Sequence, residues 1–135
     1  MRYECRYNPK LNVVEAVTHG SADVVRLLEM LHRITEHCRR EASADILVDH
    51  SDLNAGSLTM ENVETLGRTA ASLNDVYRYR RCAHVVTSDL QFGLVRAWEI
   101  FVAMYDLTEL ETRLFKNRDE AVNWLEAGAR GGSHE

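Results

Sequence analysis

The residues that suggest catalysis lie together at the end of a short apolar run, in the stretch ILVDHSDLNAGSLT at residues 46–59. Asp49, His50 and Ser51 are the three residue types of a hydrolase triad, in which a carboxylate orients a histidine and the histidine activates a serine. Consecutive residues at a strand end point to opposite faces, so these three side chains do not converge. The chain also has no G-x-S-x-G elbow. We therefore expect no catalytic triad and no enzymatic activity.

The histidines and cysteines lack the spacing of a metal site. His32, Glu36 and His37 resemble the zinc motif H-x-x-E-H, but the spacing is one residue too long and the two rings diverge around a helix. The three cysteines are widely separated, without a C-x-x-C pair. Neither a G-x-G-x-x-G sequence nor a Walker-type loop is present to hold a nucleotide. We expect no metal and no cofactor.

A polar segment, residues 54–59, joins the apolar run to the next predicted helix. Free backbone N–H groups and hydroxyls at a helix start can hold an anion, and Ser57 or Thr59 can present a hydroxyl for phosphorylation. A simpler interpretation assigns the turn to Gly56 and the helix cap to Thr59. We favour the simpler interpretation.

Composition limits the class of protein. The chain has 135 residues, of which 45% are hydrophobic and 27% charged, as expected for one globular domain. Its net charge of −5 disfavours nucleic acid as a partner. No signal-like segment and no run of about 18 apolar residues occurs, which predicts no membrane insertion and a cytoplasmic location. Residues 128–135 are predicted to be a flexible tail.

Hydrophobic periodicity predicts a β-β-α-β-α-β-α-β-α order. The strands are predicted at residues 2–7, 11–18, 44–48, 82–86 and 112–115, and the helices at 21–40, 59–77, 88–105 and 117–128. The predicted N-caps are Ser21, Thr59, Ser88 and Asn117. Alternating strands and helices imply a single α/β domain, with a mixed, mostly parallel sheet of about five strands, an N-terminal antiparallel hairpin and four helices.

The predicted topology also places candidate binding residues. Sheets of this kind bind ligands beyond the carboxyl ends of their parallel strands, near Asp49, Ser51 and Asp89. The third predicted helix is rich in large apolar residues, including Phe92, and part of it can line a ligand groove or a partner surface. Arg96 on that helix is either structural or directed at a ligand. Core packing is the simpler explanation for most of this apolar surface.

The stretch YRYRR at residues 77–81 combines aromatic and basic residues, as nucleic-acid surfaces do. It is short, however, and belongs to an acidic protein. We interpret it as a set of cations that complement the negative end of the second predicted helix, with their stems covering apolar surface.

Three segments resemble the SpoIIAA-like family of bacterial STAS-type domains: the N-terminal hairpin leading to THGSAD, the stretch FGLVRAWEIF, and RLFKNRDEAVNWL. The resemblance runs from Tyr3 to Leu125 and implies a SpoIIAA-like domain over residues 1–127, with a curved mixed sheet. The family resembles anti-sigma-factor antagonists in shape and, more distantly, CRAL-TRIO lipid-binding domains. In the antagonists a serine of a D-S-S-G motif is phosphorylated; here the region reads D-L-N-A-G-S-L-T, and Ser57 or Thr59 match by position alone.

The leading hypothesis is therefore a bacterial, non-enzymatic binding or regulatory domain with an unidentified protein partner or a small apolar ligand. The candidate binding residues are Asp49, Ser51, Ser57, Thr59, Asp89, Phe92 and Arg96. One alternative is a dedicated carrier of a small apolar or lipid ligand. Another is a phosphorylation-controlled partner switch like the antagonists. The exposed edge of the hairpin would also allow a homodimer.

Overall fold

A five-stranded mixed sheet is the centre of the fold. The computed structural model of the chain describes residues 1–132. The strands are β1 (Arg2–Asn8), β2 (Val13–Ser21), β3 (Asp45–Asn54), β4 (Arg81–Val85) and β5 (Glu111–Phe115). They lie side by side in chain order; β1 and β2 are antiparallel, and all later neighbours are parallel. The predicted α/β class, the hairpin and the mostly parallel sheet are confirmed.

Five helices, rather than the predicted four, occur within residues 1–132. They are α1 (Val24–Arg40), α2 (Met60–Ser72), α3 (Asn74–Tyr77), α4 (Asp89–Met104) and α5 (Arg118–Gly132). The predicted second helix is interrupted at Leu73, which separates α2 from α3. Ser72 and Asn74 flank the break, and both residue types favour local hydrogen bonds over continued helix. Indeed, the Ser72 hydroxyl donates to the Thr69 carbonyl at 2.6 Å.

Three of the four predicted N-caps are confirmed. Thr59, Ser88 and Asn117 each accept a hydrogen bond from the backbone N–H three residues later. Ser21 was the wrong choice, because β2 continues through it and pairs with the end of β3. The cap of α1 is instead Asp23, whose carboxylate accepts from the Val25 N–H at 2.9 Å.

The last helix runs past its predicted end at Gly128 to Gly132. Gly128 serves packing rather than termination: a Cβ on it would lie 1.0 Å from Nη1 of Arg81, whose guanidinium also donates to the Trp124 carbonyl. Of the predicted flexible tail, residues 133–135 lie outside the described part of the chain. Among the described residues, no helix has the length and apolarity needed to cross a membrane.

The two faces of the sheet are covered differently. On one face, alternate strand residues such as Val14, Ile46 and Val48 pack against helices that include α1 and α2. On the other face, Leu47 and Val85 pack against α5. The strand β3 is longer than predicted and contains Asp49, His50 and Ser51 in its interior. Its alternation therefore directs these polar residues to two different faces of the sheet.

The basic stretch at residues 77–81 stabilises a different helix from the one predicted. Arg80 is buried, and its guanidinium donates to the carbonyls of Val76 (2.6 Å), Cys38 (2.9 Å), Glu41 (3.1 Å) and Ala44 (2.5 Å). Two of these carbonyls belong to the last residues of α1 and its C-cap, which lack partners within the helix. The cation therefore complements the C-terminal end of α1, which the spacing along the chain does not reveal.

Candidate functional site

A cavity of about 130 Å³ lies between the sheet and the helices α1, α2 and α4. Its wall is almost entirely apolar and includes Met30, Ile34, Val63, Leu94 and Trp98. Protein interiors are normally packed as densely as organic crystals, with few voids larger than a water molecule. A cavity of this size in the main core is therefore the first candidate for a functional site.

The polar residues of the cavity wall include two histidines. His50 of β3 and His84 of β4 are cavity-lining residues on neighbouring parallel strands. Their rings are stacked, with centroids 6.1 Å apart and planes inclined by 14°. The His84 ring also makes a T-shaped contact with Trp98, with centroids 5.2 Å apart. The strand pairing thus brings together two imidazoles that are 34 positions apart in the sequence.

His50 is held from the sheet side by Thr18. The Thr18 hydroxyl lies 2.9 Å from His50 Nδ1 and donates to the carbonyl of Asp49 at 3.3 Å. Thr18 is fully buried and sits at an irregularity in the β2–β3 register, between Val17 and His19. Such bulges reorient a side chain relative to the regular ladder. Here the irregularity coincides with the residue that holds the histidine.

His84 has one nitrogen with a partner and one without. Its Nε2 lies 3.3 Å from the sulfur of Cys82, two residues earlier on the same face of β4. Its Nδ1 is buried and has no hydrogen-bond partner among the described residues. Buried polar groups are nearly always paired in folded proteins, so this unpaired ring nitrogen is an uncompensated cost to the fold.

Both histidines are neutral at physiological pH. Burial lowers the pKa of His50 to about 4, although the nearby Asp49 carboxylate acts in the opposite direction. Burial lowers the pKa of His84 to about 3, and the proximity of His50 lowers it further. Burial also raises the pKa of the Cys82 thiol far above its ordinary value, so the thiol keeps its proton. These three side chains of the cavity wall therefore carry no charge at neutral pH.

Two other polar residues of the cavity wall already have protein partners. The Tyr77 hydroxyl lies 2.6 Å from the Thr35 hydroxyl and 3.3 Å from the Leu31 carbonyl. The Gln91 amide donates to the Leu53 carbonyl at 2.9 Å, and its oxygen accepts from the Thr87 N–H at 2.7 Å. Tyr77 thus joins α3 to α1, and Gln91 joins α4 to β3.

The seven residues predicted from the sequence lie outside the lining of this cavity. Asp49 and Ser51 are on the opposite face of β3, where the Ser51 hydroxyl donates to Asp49 Oδ1 at 2.6 Å. Asp49 borders a charged groove that also contains Glu15 and Arg118. His50 contacts Thr18 instead, so its side chain does not converge with those of Asp49 and Ser51.

Ser57 and Thr59 stand at the start of α2. The Ser57 hydroxyl donates to the Ala22 carbonyl at 2.8 Å, and Thr59 forms a capping box with Asn62. The favoured interpretation of Thr59 as a helix cap is confirmed. Both residues are exposed. A role for either in phosphorylation stays a prediction.

The three predicted residues of α4 are on its outer surface. Asp89 is in the first turn and exposed, and Phe92 leaves 50% of its surface accessible. Arg96 forms an exposed ion pair with Glu99 at 3.0 Å. The helix contributes other residues to the cavity, Gln91 and Leu94 among them. Part of α4 thus lines the cavity, but on a different face of the helix from the one that carries the residues predicted from the sequence.

Sequence reasoning did not identify Thr18, Cys82 or His84 as site residues. A signal was available: Cys82 and His84 alternate with apolar residues in a short buried strand, where a polar side chain has to find a partner or a function. Within residues 1–132, no group of three or more His, Cys, Asp or Glu side chains is arranged to hold a metal ion.

Comparison of the chain with protein-family models, with curated proteins and with solved structures yields no match.

Proposed function

We propose that this protein binds a small, mostly apolar molecule in the cavity between the sheet and helices α1, α2 and α4, without transforming it. The cavity itself carries the proposal. With a volume of about 130 Å³ and a cost of roughly 24 cal/mol per Å³, leaving this space unfilled reduces stability by about 3 kcal/mol. A ligand that fills the cavity recovers the lost packing contacts and removes its own apolar surface from water.

The volume limits the ligand to roughly one ring. An engineered apolar cavity of about 150 Å³ in another protein accepts benzene, and the cavity described above is slightly smaller. A long acyl chain or a fused polycyclic molecule would require the helices to move apart. Single-ring aromatic compounds and short branched hydrocarbons are therefore the ligand class that fits.

This function agrees with our assignment of the chain to the SpoIIAA-like family, which stays a proposal based on the three resembling segments. It selects the small-molecule alternative within the broader hypothesis of a bacterial, cytoplasmic binding domain. The non-enzymatic character is supported by the separation of Asp49 and Ser51 from His50 on opposite faces of β3. It is also supported by the raised pKa of the Cys82 thiol, because a protonated thiol is a poor nucleophile.

Toluene is a suitable first probe because it is apolar and fits the volume. We expect toluene to perturb the methyl signals of cavity residues such as Ile34, Val63 and Leu94 in carbon–proton NMR spectra, with saturation at millimolar concentration or below. At ten times its Kd the ligand should raise the free energy of unfolding by about 1.4 kcal/mol. For a domain of this length, that corresponds to a Tm increase of roughly 5 °C.

A cavity-filling variant tests whether binding occurs at this site. Ala70 on α2 lines the cavity, and Ala70→Leu should occupy part of it and abolish toluene binding. Ala103→Leu on the exposed surface of α4 is the matched control and should bind toluene as the original chain does. Absence of saturable binding by the original chain, or equal binding by Ala70→Leu and the control, would reject the proposed function.

A further inference from the structure

The outer side of β1 is an unpaired strand edge. β1 (Arg2–Asn8) is the first strand of the sheet, and within residues 1–132 its backbone forms hydrogen bonds with β2 alone. Alternate residues of a strand direct their N–H and C=O groups to the same side, so one row of these groups in β1 points away from β2. Such a row is a template for pairing with another strand.

β1 lacks several features by which monomeric proteins block an exposed edge. Those features include a very short strand, lysine or proline within the strand, and a bulge that twists the edge away. β1 has seven residues without lysine or proline, and its register against β2 is regular over the whole strand. The strand at the other edge of the sheet, β5, has five residues. The edge of β1 is therefore long and regular enough to pair with a further strand.

We propose that β1 pairs with β1 of a second copy of this chain, antiparallel and with the two-fold axis at Cys5. The resulting homodimer joins two five-stranded sheets into one continuous sheet. Residues directly opposite each other on paired strands lie on the same face of the sheet, so the axis has to pass through a residue. Dimerisation through β1 is independent of ligand binding, because no residue of β1 lines the cavity.

Charge complementarity selects the register. The side chains of Glu4 and Arg6 share the exposed face of β1, and an axis at Cys5 places each Glu4 opposite the Arg6 of the other chain. An axis at Glu4 would oppose two glutamates, and an axis at Arg6 would oppose two arginines. Opposite charges directly across antiparallel strands stabilise the pair, and like charges destabilise it. An axis at Tyr3 or Tyr7 would leave most of each β1 without a partner.

Both charged side chains can reach a second chain. Arg6 lies 3.4 Å from Glu15 and Glu4 lies 3.3 Å from His19, yet the Arg6 side chain is 73% exposed and that of Glu4 is 70% exposed. Each therefore has accessible surface left for a further contact. If Arg6 turns towards the other chain, the buried Glu15 keeps Arg118 as a partner at 2.5 Å.

The opposite face of β1 favours the same register. Tyr3, Cys5 and Tyr7 are half-buried on this face and pack against the main core. An axis at Cys5 places Tyr3 of each chain opposite Tyr7 of the other, and cross-strand aromatic pairs stabilise a sheet. The axis that pairs opposite charges on one face thus also pairs aromatic rings on the other.

The helix α1 extends the contact beyond the strand edge. It lies over β1 and β2, and neighbouring strands are about 4.8 Å apart, so the two α1 helices would run antiparallel about 10 Å apart, where helices pack. The charges of α1 that act on Tyr3 or Cys5 alternate in sign along the helix, so charges of both signs would meet there. They are Arg26, Glu29, Arg33 and Glu36.

Charge reversal tests the register in solution. In sedimentation equilibrium from low to high micromolar concentration, the unmodified chain should approach twice its mass of 15.4 kDa without larger species, because an isologous contact closes after two copies. Glu4→Arg and Arg6→Glu should each raise the dissociation constant about tenfold or more, because each opposes like charges twice. The double variant Glu4→Arg/Arg6→Glu should return to within about threefold of the unmodified chain. Arg113→Glu, the same charge change at an exposed position of β5, is the matched control and should leave the constant unchanged.

The strand pairing can also be observed on the unmodified chain. Tyr3 and Tyr7 of one chain are four strand residues apart, about 13 Å, which is too far for an NOE. In a mixture of isotope-labelled and unlabelled chains, we therefore expect NOEs between the Tyr3 and Tyr7 rings of different molecules. Amide hydrogen exchange at alternate residues of β1 should slow as the dimer forms, because the free N–H groups become hydrogen-bonded.

Four results would each overturn dimerisation in this register: a monomer mass at every concentration, a dimer that both single reversals leave intact, a folded double variant that stays monomeric, or a dimer without NOEs between Tyr3 and Tyr7. Circular dichroism and the Tm establish that each variant folds, and the NOEs decide the question even if a variant does not. Failure of the unmodified chain to bind toluene would reject the proposed function alone.

Discussion

Acidification should destabilise this protein through the two cavity histidines. The pKa of an unfolded histidine is about 6.5, whereas the pKa is about 4 for His50 and about 3 for His84 in the folded chain. The folded state therefore binds fewer protons than the unfolded state between these values, and stability rises with pH in that window. The stabilising contribution is fully present above about pH 7 and is lost as the pH falls towards 4 for His50 and towards 3 for His84.

The size of the effect follows from the same pKa values. At pH 5 an unfolded histidine is mostly protonated, while both folded imidazoles remain neutral. Each histidine then lowers the free energy of unfolding by about 2 kcal/mol relative to its value at neutral pH. His50 keeps some accessible surface, so its share is the smaller one. For the pair we expect a loss of about 3 kcal/mol between pH 7 and pH 5, a large part of the 5–15 kcal/mol typical of a domain.

Urea unfolding at pH 7 and pH 5, followed by far-ultraviolet circular dichroism, measures this loss. Fluorescence is a poorer probe, because Trp98 touches His84 and responds to the charge of the ring. His84→Leu should reduce the pH-dependent loss by about 2 kcal/mol, and His50→Leu by a similar or smaller amount. The exposed His32→Leu is the control and should leave the loss as it is in the original chain.

A second measurement makes the prediction sharper. The Hε1 signals of both buried histidines should stay at their neutral positions when the pH is lowered from 7 to 5. A midpoint near 6.5 for either ring would refute the reasoning from burial. So would an equal loss of stability in His84→Leu and the original chain, because that result would assign the pH dependence to other groups.

Three further predictions concern stability. Arg80→Met should lower the free energy of unfolding by about 3–5 kcal/mol because it leaves buried carbonyls without a donor. The control Arg78→Met, at an exposed ion pair, should lower it by less than about 1 kcal/mol. Equal urea midpoints for the two variants would refute this prediction. Gly67→Ala should destabilise the chain by about 1–3 kcal/mol, because the new Cβ would lie 2.7 Å from Phe101 Cβ. Alanine has a better helix propensity than glycine, so a raised Tm would contradict the close contact between the two helices. Thr59→Ala should cost about 1 kcal/mol through loss of the helix cap, and Thr59→Ser should restore most of it in the same urea titration.

Local sequence signals predicted the strands and most helix starts correctly, because these features depend on residues close together in the sequence. Caps such as Thr59 and Asn117 depend on a hydrogen bond within one helical turn, which residue type and spacing reveal. The end of β3 was misjudged for the converse reason. Residues 49–54 are rich in Asp, Ser and Asn, which strands disfavour, yet they remain extended because β2 pairs with them as far as Asn54. Strand pairing overrode local preference there.

The candidate site depends almost wholly on non-local geometry. His50 and His84 become neighbours through the register of β3 against β4, and Thr18 reaches His50 from a third strand. The cavity volume depends on how closely the helices approach one another, for which the contact of Gly67 with Phe101 is one determinant. Periodicity identifies which face of an element is buried, but it does not reveal whether the opposing side chains fill the space between two elements.

Two separate energetic costs coincide in this molecule. Unfilled volume in the core costs about 3 kcal/mol, and an unpaired buried nitrogen costs about 1–3 kcal/mol. Either could be removed by one apolar substitution, such as leucine at position 70 or 84, and both occur in the wall of one cavity. It follows that Ala70→Leu and His84→Leu should each make the unliganded chain more stable at pH 7, and that Ala70→Leu should also weaken toluene binding. If both substitutions destabilised the chain, the cavity would be better explained as a packing requirement of the fold than as a binding site.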